Sequence, residues 1–279
     1  RQMCIRDRVW EKPCTDADIL VFSTHADDEI LFLGGVLATY AGQQGLNVQV
    51  AYMTNYWNGA TVREHEKLDG LWESGVKHYP VNGEFDDIYA TDLNGAMSVY
   101  SYDDVLGYVT EQIRRFKPLV VVTQDINGEY GHGGHMLLAK AVCEAADNSG
   151  TASFKQESAD KYGAWDVPKT YIHLYGENKI RMDLRQPLSN MKSRTAIDVK
   201  RKSKKPNLKV LPSKTVMNFL RLTVKADLLT VNLQYADFQN GLNLKDSVHR
   251  AEEHGVSTTH FIRIILMFIL FLKEEDAQL

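Results

Sequence analysis

Residues 17–40, ADILVFSTHADDEILFLGGVLATY, limit what this chain can fold into more than any other stretch. Ile19 to Phe22 is a β-branched and aromatic run that reads as a buried strand. His25-Ala26-Asp27-Asp28-Glu29 breaks it, and an apolar, helix-compatible segment follows. The acidic cluster therefore stands where a strand gives way to a helix, the edge at which open α/β sheets bind ligands. Three carboxylates beside an imidazole repel one another in such a place unless a cation compensates. The pattern predicts a metal.

The rest of the chain alternates in the same way. Residues 47–54 read as a second strand, 62–74 have helical spacing despite Gly70, and 77–81 are a short strand candidate. Residues 82–100, rich in Gly, Asp and Asn, read as loop. The segment 102–116 is an amphipathic helix stopped by Lys117-Pro118. LVVVT, 119–123, is a buried strand, 124–134 a glycine-rich loop, 135–146 a helix and 169–175 a further strand. This βαβα order predicts an α/β, Rossmann-like fold, a mostly parallel sheet with helices on both faces.

Composition narrows the partners. A hydrophobic content of 44% with 24% charged residues is ordinary for a soluble globular protein, and a net charge of −4 gives no argument for nucleic acid or anionic membranes. Cys4, Cys14 and Cys143 have neither CxxC nor CxH spacing, so no disulfide framework or cysteine zinc site is expected. Residues 1–8 have no initiator Met and no apolar signal core, and resemble a translated adaptor remnant. Three segments are expected: a non-native extension over 1–16, an α/β domain over 17–190, and a divergent C-terminal region over 191–279. Between residues 192 and 209 lie eight Lys/Arg without interleaved aromatics, which reads as a solvated connector rather than a nucleic-acid patch. Residues 216–235 alternate as one or two strands. The apolar run 261–272 is shorter than the roughly 20 residues a membrane span needs. Membrane association is not indicated, and neither compartment nor oligomeric state follows from the sequence.

A second constellation follows LVVVT: Asp125-Ile-Asn-Gly-Glu-Tyr130-Gly-His132-Gly-Gly-His135. His132 and His135 are three apart at a helix start, so one turn can present both to the same space. In a parallel sheet the two clusters, each following a strand, come to the same edge. His25, Asp28 and His135 then supply two nitrogens and one oxygen to an ion and leave a position open for water. Asp27 is free to accept a proton from that water. His132 is expected opposite, protonated, to steady an oxyanion or protonate a leaving amine, and Tyr130 to polarise the carbonyl. Glu29 is expected to serve the helix N-terminus.

At these residues the chain resembles the zinc-dependent deacetylases of the LmbE / PIG-L type, which remove acetyl groups from N-acetylglucosaminyl and related sugar conjugates. The family pattern, His-Pro-Asp-Asp-Glu and then Tyr-x-His-x-x-His, stands here as His25-Ala-Asp-Asp-Glu29 and Tyr130-Gly-His-Gly-Gly-His135. The resemblance covers about residues 17–190. It implies one Zn2+ on His25, Asp28 and His135, with Asp27 as base, His132 as charged partner and Tyr130 as oxyanion aid. It also implies a sugar-holding role for Arg63, with Glu64 or Glu66, and a small N-acetylated sugar as substrate. Ala26 replaces the family's Pro. Gly134 stands where the family often has Asp, which leaves Asp125 as the nearest carboxylate to orient His132.

Rival readings differ in what they require. Such ligands also accept Fe2+, and zinc is preferred through the resemblance alone. Non-haem iron oxygenases, however, resemble all-β barrels with His-x-Asp spacing. A nucleotide-binding module needs a glycine-rich turn after the first strand, where this chain offers Asp27, Asp28 and Glu29. An amidase on a thiol–sugar conjugate would use the same groups, and a catalytically inactive metal-binding module would keep the ligands alone.

Overall fold

The structure, a computed structural model, describes residues 8–55 and 61–200 (for 61 and 62 the backbone alone), all within the unit Arg1–Val210. The expected strands over 216–235 and the apolar run 261–272 lie outside the described residues. Among the described residues five parallel strands form the sheet: β1 (Ile19–Ser23), β2 (Val48–Thr54), β3 (Val81–Phe85), β4 (Val120–Thr123) and β5 (Lys169–Ile172), in the order β3-β2-β1-β4-β5. The order reverses between β1 and β4, the switch point at which such sheets bind ligands.

Strand geometry explains why the central runs Ile19–Phe22 and Val120–Val122 are apolar throughout. Successive side chains point to opposite faces. Leu20 and Phe22 of β1 join Ala51, Met53 and Val121 in one core, and Ile19 and Val21 join Val48, Val50 and Val122 in the other. Both faces are therefore covered, and each fully buried Val, Leu or Phe stabilises the fold by about 1.5–3 kcal/mol. The Rossmann-like α/β expectation is met.

One face is covered by α4 (Leu93–Val99), α5 (Tyr102–Phe116) and α6 (Gly133–Asn148). Residues of α1 (Asp28–Leu31), α2 (Gly34–Leu37) and α3 (Thr61–Glu73) pack on the other. Ser101 caps α5 by accepting from the Asp104 N–H, and Lys117, left-handed at φ 43°, ends it before Pro118. A short α7 (Gln156–Tyr162) precedes β5, and β6 (Pro187–Leu188) pairs antiparallel with β7 (Arg194–Thr195). Among the described residues no helix is long and apolar enough to cross a membrane.

Three local expectations are corrected. The strand proposed over 77–81 begins only at Val81, because the backbone at Lys77 and Tyr79 bonds Glu11 instead (3.0 and 2.9 Å). The loop over 82–100 contains most of β3 and all of α4. Asp92, read as a loop residue, is the N-cap of α4 and accepts from the Gly95 N–H at 2.8 Å. The helix after β1 is interrupted between α1 and α2, and a π-helical turn, Ala38–Gln43, follows. A Cβ at Gly35 would press on the end of the Leu184 side chain at 2.6 Å, which would have to turn aside.

Candidate metal centre

The C-terminal ends of β1 and β4 are locked together before any reactive group appears. Gln124 Oε1 accepts from the Thr24 N–H (2.8 Å) and from its hydroxyl (2.5 Å). The Thr24 carbonyl in turn accepts from the N–H and hydroxyl of Thr54 at the end of β2 (3.0 and 2.9 Å). His25 follows Thr24 directly. The loop after Gln124 makes a 3-10 turn, Glu129–Gly131, and enters α6 with His132 as N-cap. Two motifs about a hundred residues apart thus reach one sheet edge.

There the side chains of His25, Asp28 and His135 meet. Asp28 Oδ2 is 2.9 Å from His25 Nδ1 and 3.1 Å from His135 Nε2, and those two nitrogens are 3.2 Å apart. Ligand atoms about 2.0–2.2 Å from a common ion at tetrahedral angles lie roughly 3.3 Å from one another. The triangle is within a few tenths of an ångström of that spacing, so the residues present fit a divalent ion. His132 is also near: one ligand atom from each of His25, His132 and His135 lies within 4.8 Å of the others. The triangle with Asp28 is the tighter set. His25 Nε2 is buried without a hydrogen-bond partner, 3.4 Å from Asp87 Oδ1.

The electrostatics favour cations. Burial opposes ionisation of Asp28, but His135 and His25 outweigh it and hold the carboxyl well below the usual range. Burial likewise opposes protonation of His135, yet Asp28 and Glu129 raise it to about 9. A divalent ion would compete with protons for these same lone pairs.

Asp27 is not one of the three residues of the triangle. Its Oδ2 accepts from Arg63 Nη2 at 3.0 Å, and the same nitrogen donates to the Ala26 carbonyl at 2.8 Å. Burial and the neighbouring Asp28 push the Asp27 carboxyl up to about 6, against the pull of Arg63. Its backbone sits at φ 129°, a strained conformation for a residue with a side chain. Glu29 secures it by accepting the Asp27 N–H at 2.9 Å, so Glu29 serves the N-terminus of α1 as expected. Arg63, on α3, is shared between Asp27 and Glu66 (2.9 Å).

At His132 the protein's own geometry favours a neutral ring over the expected imidazolium. Its Nδ1 accepts the Gly134 N–H at 3.1 Å, so the neutral ring carries its proton on Nε2. Burial, then His135 and His25, pull it down to about 3. The backbone of Gly134 orients this ring, not Asp125, whose Oδ1 accepts from the N–H and side-chain amide of Asn127 (2.9 and 3.3 Å). Tyr130, left-handed at φ 48° and 44% exposed, has its ring 5.4 Å from His135 and 5.9 Å from His132. Burial raises its hydroxyl, which stays a proton donor.

Sequence reasoning missed Glu129 and His173. Buried Glu129 accepts from His135 Nδ1 and His173 Nδ1, each at 2.8 Å. Burial would raise its carboxyl, but these two hydrogen bonds bring it to about 2. A carboxylate six residues before His135 follows no spacing rule, and His173 lay unremarked at the end of a strand. A cavity of about 1240 Å³ lies beyond Phe32 and His173; none of His25, Asp27, Asp28, His132 or His135 lines it.

Comparison with known proteins agrees with the motif. Residues 20–146 match the family model described as PIG-L: GlcNAc-PI de-N-acetylase. A Catenulispora acidiphila protein named 1D-myo-inositol 2-acetamido-2-deoxy-alpha-D-glucopyranoside deacetylase 1 is 25% identical over 194 residues, 57% of this chain and 56% of that protein. A Mycobacterium leprae deacetylase of the same substrate name is 28% identical over 184 residues, 56% of this chain and 59% of that protein. The matches thus span less than two thirds of these relatives. The N,N'-diacetylchitobiose deacetylase of Pyrococcus horikoshii shares the fold, with a TM-score of 0.55, 17% identity, and coverage of 71% of this chain and 72% of that one. The LmbE / PIG-L resemblance read from the two motifs is borne out.

Proposed function

With a PIG-L-type segment over residues 20–146 as premise, we propose that the chain is a metal-dependent hydrolase that removes an acyl group, acetyl first among candidates, from an N-acetylated sugar or sugar conjugate. The observation that carries this is the triangle of His25 Nδ1, Asp28 Oδ2 and His135 Nε2 beside a carboxylate, Asp27, that does not belong to it. The substrates in the relatives' names supply the N-acetyl sugar.

His25, Asp28 and His135 would hold one ion, Zn2+ by family likeness and Fe2+ by the same donor set. When bound, such an ion polarises an amide carbonyl and lowers the pKa of water. The chain's own groups do the rest. Asp27 accepts the proton of the attacking water at Oδ2 and, with its carboxyl pushed up to about 6, can return it to the departing amine nitrogen. His132 donates Nε2–H, and Tyr130 its hydroxyl, to the amide oxygen as negative charge gathers there. Arg63 aligns Asp27 and stands ready for a sugar hydroxyl. Water and amide give a carboxylic acid and an amine, with no redox partner.

The test is zinc content of the purified protein together with acetate release from N-acetylglucosamine conjugates. Zinc without acetate release from any N-acetyl amino sugar would sink the substrate reading. Release of a different acid from a thiol–sugar amide would favour the amidase alternative.

A further inference from the structure

Glu129 spends both carboxylate oxygens inside the protein. Oε2 accepts from His135 Nδ1 at 2.8 Å and lies 3.3 Å from Gln124 Nε2. Oε1 accepts from His173 Nδ1 at 2.8 Å and from the Asp125 N–H at 3.0 Å. Gln124 cannot turn its amide over, because its Oε1 already receives both donors of Thr24. Its Nε2 therefore faces Glu129 Oε2 and His135 Nδ1 (3.1 Å) as a donor, and because the Glu129 carboxylate can only accept, the proton in the shorter 2.8 Å contact belongs to His135 Nδ1. That choice leaves Nε2 of His135 with its lone pair toward Asp28 and His25.

We propose that Glu129 and His173 act together as positioning residues for the metal centre: Glu129 fixes the tautomer and ring direction of His135, and His173 holds Glu129. This rests on the assignment of His135 as a ligand in the proposed function. His173 lies beyond the matched segment 20–146, at the end of β5, where its N–H donates to the Thr123 carbonyl at 3.0 Å. The fifth strand thereby completes a centre whose ligands follow the first and fourth. The same network runs through Gln124 to Thr24, the residue before His25, so one buried carboxylate steadies both ligand-bearing loops. Carboxylates behind a ligand histidine typically change metal affinity about 10–100-fold when removed.

Zinc affinity of the full chain, measured by competition with a chromophoric chelator, tests this, with circular dichroism and Tm on each variant as fold controls. Glu129→Gln should bind zinc about 10–100-fold more weakly. His173→Leu should weaken binding in the same direction. His173→Asn, whose amide can replace the Nδ1–H donor, should restore it. A purely structural role would lower Tm and leave the affinity of the folded fraction unchanged. Wild-type affinity in Glu129→Gln, or equal losses in the Leu and Asn variants, would overturn the proposal while leaving the hydrolase reading standing. Zinc binding that survives His135→Ala would overturn both.

Discussion

Asp27→Asn separates two roles that one carboxylate otherwise combines. The substitution keeps the shape of the side chain, and Asn Oδ1 can still accept from Arg63 Nη2, now 3.0 Å from Asp27 Oδ2. None of the three distances that define the triangle involves Asp27, so zinc affinity should stay within about threefold of wild type, roughly 0.6 kcal/mol. Turnover should not survive. A positioned base contributes about 10²–10⁴-fold, so kcat should fall by that factor, or about 2.7–5.5 kcal/mol of barrier. Stability should move the other way. The folded-state carboxyl is raised to about 6 from the ordinary 3.8, by burial first and Asp28 second. Its contribution to stability is therefore full below pH 3.8 and lost as pH rises through about 6. Asn has no such loss. The chelator-treated variant should match wild type near pH 4 and melt higher than wild type at pH 8. Acetate release by the zinc-loaded protein and Tm across pH 4–8 read both effects. Turnover within tenfold of wild type, or a lower Tm at pH 8, would refute the reasoning.

Other perturbations reach different parts of the argument. His135→Ala should lose stoichiometric zinc and acetate release together, read by metal analysis and turnover. Wild-type kcat/KM should fall on the acid side as Asp27 protonates, with a limb near pH 6 that the Asn variant lacks. Gly133→Ala should lower Tm and activity, because the new Cβ would land on the backbone carbonyl of Asp92; overpacking of this kind costs about 1–3 kcal/mol. Arg114 is buried and donates to the carbonyls of Ser149, Thr151 and Lys155 and to the Ser158 hydroxyl. Arg114→Met would remove four hydrogen bonds, although each carbonyl keeps a backbone N–H donor (from Trp165, Phe154 and Ser158), so at about 0.5–1.5 kcal/mol per bond urea unfolding should show a loss of at least about 2 kcal/mol with activity per folded molecule unchanged.

Much of this architecture is legible in the residues because parallel strands covered on both faces must be apolar throughout. Ile19–Phe22, Val50–Met53 and Val120–Val122 carry that mark, and β1, β2 and β4 are their products. The clusters at 25–29 and 130–135 were visible because chemistry demands unusual residue types at strand ends. Where the reading failed, one residue type served two purposes. Asp92 and Gly95 look like a turn, yet form the cap and first turn of α4. The strand signal at 77–81 was real in backbone terms, but Glu11 took its hydrogen bonds. The protonation of His132 could not be read from spacing, because a backbone N–H, which every residue except proline has, sets it. Glu129 and His173 escaped for a related reason: their partners are fixed by tertiary approach over 44 residues.

The pairing of β1 directly with β4 has a consequence for how the molecule assembles. His25 and His135 are 110 residues apart in sequence and adjoin only once that central, non-local pairing exists. A chain still closing its sheet has no place for the ion, so late addition of zinc to refolding protein would time the closure itself. Once closed, saturating metal at a hundred times its dissociation constant adds about 2.7 kcal/mol to stability. Ion uptake would then report completion of the sheet's middle, the most non-local of its pairings.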